Sequence, residues 1–143
     1  MTALPAPAKV LVVDDHPINL KLLRVLLESE GYEVLTATDA AEVLALLQTA
    51  KPALLLVDIQ LPDLDGLELT RRLKRDPATR DLPVVAVTAY AMKGDEARLR
   101  AAGCDAYIAK PINVVSFARQ VAAALGTSPP MDLDTGRGEL ADR

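Results

Sequence analysis

The sequence predicts an α/β protein of the (βα)5 kind, a doubly wound sheet of five parallel strands, and three observations carry that expectation. Short β-branched or leucine runs alternate with stretches of helical period from Val10 to Leu125. One run, Ala53 to Val57, is apolar throughout, as a central parallel strand covered by helices on both faces should be. Four runs end in residues with usable chemistry: VLVV before Asp14 and Asp15, LLLV before Asp58, VVAV before Thr88, and AYIA before Lys110 and Pro111.

The elements follow in order. The first strand is expected over about Lys9 to Val13, and Pro17 suits the first turn of a helix that turns Leu22, Leu23, Leu26 and Leu27 inward until Gly31 ends it. The second strand covers about Glu33 to Ala37. Asp39 with Glu42 three residues later resembles a capping box, opening a helix whose Val43, Leu44 and Leu47 face the sheet. Ala53 to Val57 is the third strand. Beyond the loop IQLPDLDG, Asp65 and Glu68 offer a second capping pair for a helix carrying Leu69 and Leu73, and Pro83 precedes the fourth strand, Val84 to Val87. A fourth helix runs from about Gly94 to Ala102, closed by Gly103. Ala106 to Ala109 forms the fifth strand, and Asn113 caps a last helix with Val114, Phe117, Val121 and Leu125 on one side, stopped by Gly126.

The whole chain bounds what such a fold is for. Its 143 residues, half of them hydrophobic, suit one domain with a real core, expected over residues 8–126, with a flexible segment 1–7 before it. The stretch 127–143 is rich in Pro, Gly and Asp without periodicity and reads as a disordered tail or linker. A net charge of −4 argues against a surface built for nucleic acid. A single cysteine, Cys104, excludes an intramolecular disulfide, and MTALPAPAK lacks the layout of a secretory signal. No apolar run approaches the ~18 residues of a membrane span. A cytoplasmic protein without membrane or nucleic-acid partners is expected.

Ligands of an open parallel sheet sit outside the carboxyl ends of its strands, so the residues that follow the apolar runs are the candidates for function. Asp14, Asp15 and Asp58 crowded at one edge stay ionised together only if a cation neutralises them. Magnesium fits, because it prefers one or two carboxylates together with waters and phosphate oxygens, and it therefore implies a phosphoryl ligand. An aspartate can itself be the nucleophile of phosphoryl transfer. Asp58 is the choice, because it leaves a central strand flanked by the acid pair on one side and Thr88 on the other. Lys110 suits a phosphoryl oxygen as a compact charge, the Thr88 hydroxyl suits another as a donor, and the backbone carbonyl of Gln60 completes the metal shell. Pro111 raises the chance of a cis bond that aims Lys110 inward.

Other residues read more plainly. His16, beside Pro17 at a helix start, is expected in solvent, and Cys104 in the core. Arg71, Arg72, Lys74 and Arg75 read as a solvated helix face. Tyr107, three residues before Lys110, falls on the opposite face of an ideal strand.

With VLVVDD, LLLVDIQLPDLDG, VVAVTA and YIAKP in place, the chain resembles the CheY-like receiver domain of two-component response regulators over about residues 8–126. The stretch VTAYAMKGDEARLRAAGCDAYIAKPI is similar to single-domain cell-division regulators of the DivK type and to receivers of hybrid histidine kinases. The resemblance implies a flavodoxin-like fold of strand order 2-1-3-4-5. It implies that Asp58 accepts phosphate from a phosphohistidine of a sensor kinase or phosphotransfer protein. It assigns the magnesium shell to Asp14, Asp15, Asp58 and the Gln60 carbonyl, the switch to Thr88 with Tyr107 as rotating aromatic, and the lysine role to Lys110. The downstream target is then met through the fourth helix, fifth strand and fifth helix, as a monomer or weak dimer.

A stand-alone phosphoacceptor is the resulting expectation. Gln60 and Tyr90, two positions beyond Asp58 and Thr88, are expected to obstruct the attacking water and slow self-dephosphorylation. The rivals are a phosphatase or phosphotransferase acting through an aspartyl phosphate, which lacks a general acid at Gln60, and a receiver-like module that only docks.

Overall fold

Five apolar runs become five strands, each followed by a helix. The computed structural model describes residues 8–89, 93–110 and 112–125. The elements are β1 (Lys9–Val13), α1 (Pro17–Ser29), β2 (Glu33–Ala37), α2 (Ala40–Leu47), β3 (Leu54–Asp58), α3 (Gly66–Arg75), β4 (Val84–Thr88), α4 (Lys93–Ala102), β5 (Ala106–Ala109) and α5 (Val114–Leu125). All pairings are parallel and the order is β2-β1-β3-β4-β5, as expected. Two strand boundaries move. β3 begins at Leu54 and takes in Asp58, and β4 takes in Thr88, because a polar side chain at a strand end leaves its backbone free to pair: Asp58 aligns with Val87 and Thr88 with Ala109. Segment 1–7, Gly126 and the tail 127–143 lie outside the described residues.

Strand side chains alternate between faces, so every strand feeds two cores. Val10, Val12, Leu54, Leu56, Val85 and Val87 pack with Leu23 and Leu27 of α1 and with Phe117 and Val121 of α5. Leu11, Val13, Leu55, Val57 and Ala86 pack on the other face with Val43 of α2, Leu73 of α3 and Leu99 of α4. Burying one such side chain contributes about 1.5–3 kcal/mol, so these two layers supply most of the driving force. β3 is buried at all five positions, which places Asp58 at the centre of the sheet.

Two residues expected inward stand outward. Leu22 is 42% exposed and Val114 is 58% exposed. On α1 the inward row is Leu23 and Leu27, four apart, and Leu22 lies a helical step off it. Val114 opens α5, where no preceding turn covers it.

The expected caps form, but the two capping pairs, Asp39 with Glu42 and Asp65 with Glu68, do so only in their first halves. Asp39 accepts the Glu42 N–H at 2.8 Å, Asp65 the Leu67 N–H at 2.7 Å and Asn113 the Ser116 N–H at 3.0 Å. Glu42 accepts from the backbone and hydroxyl of Thr38, one residue before the cap, and Glu68 turns to arginines. Gly31 and Gly103 end α1 and α4 at φ of 93° and 104°, a region costly for other residues. Among the described residues no helix is long and apolar enough to cross a membrane.

Candidate functional site

Register alone brings the chemistry to one rim. Val13 aligns with Val57, Asp58 with Val87 and Thr88 with Ala109, so Asp14, Asp58, Thr88 and Lys110 leave adjoining strands at nearly one level. Backbone bonds hold that level: the Asp14 N–H donates to Ala37 O at 3.1 Å and the Lys110 N–H to Thr88 O at 2.8 Å.

The side chains converge. Lys110 Nζ lies 3.4 Å from Asp58 Oδ2 and 3.6 Å from Asp14 Oδ2, and the Gln60 N–H donates to Asp58 Oδ1 at 3.1 Å. Asp14 is 1% and Asp58 4% exposed, so both carboxyls are nearly out of water. Burial is the main reason the Asp58 carboxyl is held above the usual carboxylate range; the charge of Asp14 adds to it, and the Gln60 N–H and Lys110 oppose it.

The Lys110 ammonium pairs with two of the three carboxylates, Asp14 and Asp58. Two buried oxygens, Asp14 Oδ2 and Asp15 Oδ1, accept no hydrogen bond among the described residues. Lys110 Nζ stands 3.6 Å from the first and His16 Nδ1 3.0 Å from the second, neither as a hydrogen bond; buried carboxylate oxygens that accept none are the exception in folded proteins, and a hard cation is what such oxygens suit. One ligand atom each from Asp14, Asp15, His16 and Asp58 lies within 4.8 Å of the others, so the donor set is compact enough for a single ion. The acids therefore fit a divalent cation such as magnesium.

His16 is the member that periodicity does not reveal. It is exposed, as expected, yet its N–H donates to Asp14 Oδ1 at 2.8 Å and its Nδ1 stands 3.2 Å from that oxygen and 3.0 Å from Asp15 Oδ1. The available signal was the short turn after Asp14, in which a carboxylate bonds the backbone two residues on.

Thr88 is buried and faces a cavity of about 550 Å³ between the β3–α3 loop and α4, lined also by Gln60, Leu61, Arg98 and Leu99. Tyr107 packs against the α2–α4 core, while Lys110 borders a groove with Leu22, Val87 and Ile112 on the α1 side, so the two fall on opposite faces. Pro111 and Tyr90 lie outside the described residues. Cys104 is buried, its thiol pushed up mainly by burial, with Sγ 4.0 Å from Thr70 Oγ1. Arg71, Arg72 and Arg75 form the expected solvated face around Glu68, whereas Lys74 leaves it for Asp105 at 2.9 Å.

The chain is similar to known proteins. Residues 10–122 match the response regulator receiver domain family. The polar-differentiation response regulator DivK of Brucella anthropi is 48% identical over 120 residues, covering 84% of this chain and 98% of the relative. Its counterpart in Brucella ovis is 49% identical over 117 residues, 82% of this chain and 95% of the relative. Among solved structures, the receiver domain of a sensor histidine kinase from Pseudomonas aeruginosa, with a magnesium ion coordinated in its active site cleft, superposes with a TM-score of 0.77 at 30% identity, over 85% of this chain and 99% of that one. The chemotaxis response regulator CheY4 of Vibrio cholerae gives 0.78 at 26% identity, over 82% and 98%.

Proposed function

Because the chain belongs to the response regulator receiver domain family and is a DivK-like member of two-component signalling, we propose that Asp58 is the side chain that takes the phosphoryl group. The observation that carries this reading is its setting: a buried carboxylate on the central strand, between Asp14 and Lys110, beside two carboxylate oxygens that accept no hydrogen bond among the described residues. Asp14, Asp15, Asp58 and the Gln60 carbonyl would hold a magnesium ion. When bound, that ion supplies positive charge to the phosphoryl oxygens and to the crowded acids.

The donor is a phosphohistidine of a sensor kinase or phosphotransfer protein. An Asp58 oxygen forms the new bond to phosphorus as the P–N bond to the donor imidazole breaks, and the imidazole leaves with that electron pair and takes up a proton. Lys110 and the Thr88 hydroxyl each meet a phosphoryl oxygen, replacing donors that water would otherwise supply. The donor meets α1, which follows the Asp14–Asp15 pair and along which Ile18, Leu22 and Val25 are 82%, 42% and 53% exposed. An apolar row of that kind suits a partner helix.

Thr88, Tyr107 and Pro111 form the switch. The cavity beside Thr88 gives that side chain and α4 room to shift. The face of α4, β5 and α5 then carries the change to a downstream protein, the receiver acting as a monomer or weak dimer in the cytoplasm. Gln60 and Tyr90 slow hydrolysis of the acyl phosphate by hindering water. The docking-only rival leaves the donor-poor oxygens unexplained, and the phosphatase rival lacks an acid at Gln60. The test is phosphotransfer from a labelled histidine donor: label should pass to the wild type only with magnesium, and not to Asp58→Asn. Equal labelling of that variant would remove Asp58 from the role.

A further inference from the structure

We infer that Asp63 is a positioning residue for the metal-binding rim, tying the loop that carries Gln60 to the start of α2, just beyond the strand end that carries the backbone partner of Asp14. Asp63 belongs to the loop between β3 and α3, yet its carboxylate reaches the start of α2. Oδ1 accepts the Ala40 N–H at 3.0 Å and Oδ2 the Ala41 N–H at 3.1 Å, 23 and 22 residues away in sequence. The first N–H groups of a helix lack internal partners, and a local residue ordinarily serves them. α2 already has such a residue, since Asp39 takes the Glu42 N–H. Asp63 takes the two donors that Asp39 leaves, and it does so from another loop.

The consequence is a path of hydrogen bonds and backbone that leads from Asp14 to the loop behind Asp58. On one side, Ala37, which leads into α2, accepts the Asp14 N–H at 3.1 Å. On the other, the Gln60 N–H donates to Asp58 Oδ1 at 3.1 Å, and the Gly66 N–H to Ile59 O at 2.8 Å closes the loop behind it. Gly66 is confined there, because a Cβ on it would stand 2.6 Å from Asp58 O and 2.8 Å from Ile59 Cα. The loop is thus fixed at its two ends by Gly66 and β3 and in its middle by Asp63. Without Asp63, nothing in this path joins the Asp58 loop to the start of α2. The Asp63 carboxyl is held below the usual carboxylate range, chiefly by the Ala40 N–H, so it is an anion throughout the neutral range.

The inference rests on the metal reading proposed above, and the experiment separates the two. Isothermal titration of the metal-free full chain with magnesium chloride, beside thermal melting, is run on the wild type, Asp63→Ala, Asp63→Asn and Asp39→Ala. Both alanine variants should melt lower, since each removes a cap from α2. Only Asp63→Ala should also weaken magnesium binding, on the order of tenfold, as loss of an outer support of a metal site does. Asp63→Asn keeps one acceptor oxygen and should lose about threefold. Magnesium affinity within about twofold of wild type in Asp63→Ala, or in Asp63→Asn should the alanine variant not fold, would overturn the positioning role, as would equal weakening in Asp39→Ala. No magnesium binding by the wild type would overturn the metal reading itself.

Discussion

At the amino rim of the sheet a lysine and an aspartate lock three elements together; at the carboxyl rim the same residue types face each other and stay incompletely paired. Lys74 Nζ donates to Leu82 O at 2.8 Å, Asp105 Oδ2 at 2.9 Å and Arg80 O at 3.4 Å, and that same Asp105 oxygen accepts the Val84 N–H at 2.8 Å. The ammonium is met by three oxygens from two segments, the α3–β4 loop and the residue before β5. At the other rim Lys110 stands 3.4 and 3.6 Å from two aspartates, and two carboxylate oxygens, Asp14 Oδ2 and Asp15 Oδ1, accept no hydrogen bond among the described residues. Asp58, buried and crowded, resists ionising. A rim that only had to hold the fold together would be built like the first. The second gives up stability that a ligand can restore, which is the usual sign of a site.

The largest expected effect breaks this comparison at Asp58. Asp58→Asn should abolish phosphotransfer while raising the stability of the metal-free protein by roughly 1 kcal/mol, because it relieves a buried charge conflict; denaturant melts beside labelling check both halves. Asp105→Ala should do the reverse, costing about 2 kcal/mol by leaving the Val84 N–H and Lys74 without their partner, and keeping phosphotransfer. A loss of labelling there without a loss of stability would merge the two rims. Next comes Gly66→Ala. Its Cβ would press on the Asp58 carbonyl and the Ile59 backbone, so a destabilisation of about 2 kcal/mol is expected by thermal melting, accompanied by weaker labelling.

The pH dependence sharpens the contrast further. The Asp58 carboxyl is held above its ordinary range, chiefly by burial, so the folded metal-free chain binds that proton more tightly than the unfolded chain. The stability this adds is fully present below the ordinary aspartate pKa and is lost as pH rises through the folded value. The stability advantage of Asp58→Asn over wild type should therefore grow with pH across that window and level off above it, which urea midpoints at several pH values would read. The smallest effect belongs to the solvated face of α3. Arg72→Ala removes one of three guanidiniums around Glu68, all of them well exposed, and should change stability by no more than ~0.5 kcal/mol.

Much of this was legible in the chain. Val-Leu runs set the strands, the unbroken LLLV run put Asp58 on the central one, and the residues after each run assembled at one rim once the strands paired in register. Asp39, Asp65 and Asn113 announced helix starts by local chemistry. What sequence did not disclose is tertiary. Periodicity places Leu22 beside Leu23 and Leu27 but does not say where the sheet ends beneath α1, so its exposure was hidden. His16 leans on the acid pair through a turn that apolar patterning does not register. Asp63 serves a helix two dozen residues upstream, and no local pattern marks a bond of that range.

The most direct test asks whether the crowded rim is completed by an ion that readies its central carboxylate. Treat the wild-type protein with acetyl phosphate, with and without magnesium, reduce the acyl phosphate with borohydride, and locate the modified residue by mass spectrometry. A single adduct on Asp58 that forms only with magnesium is the expected result. An adduct that forms equally well in chelator, or one on Asp14 or Asp15 instead, would contradict the account.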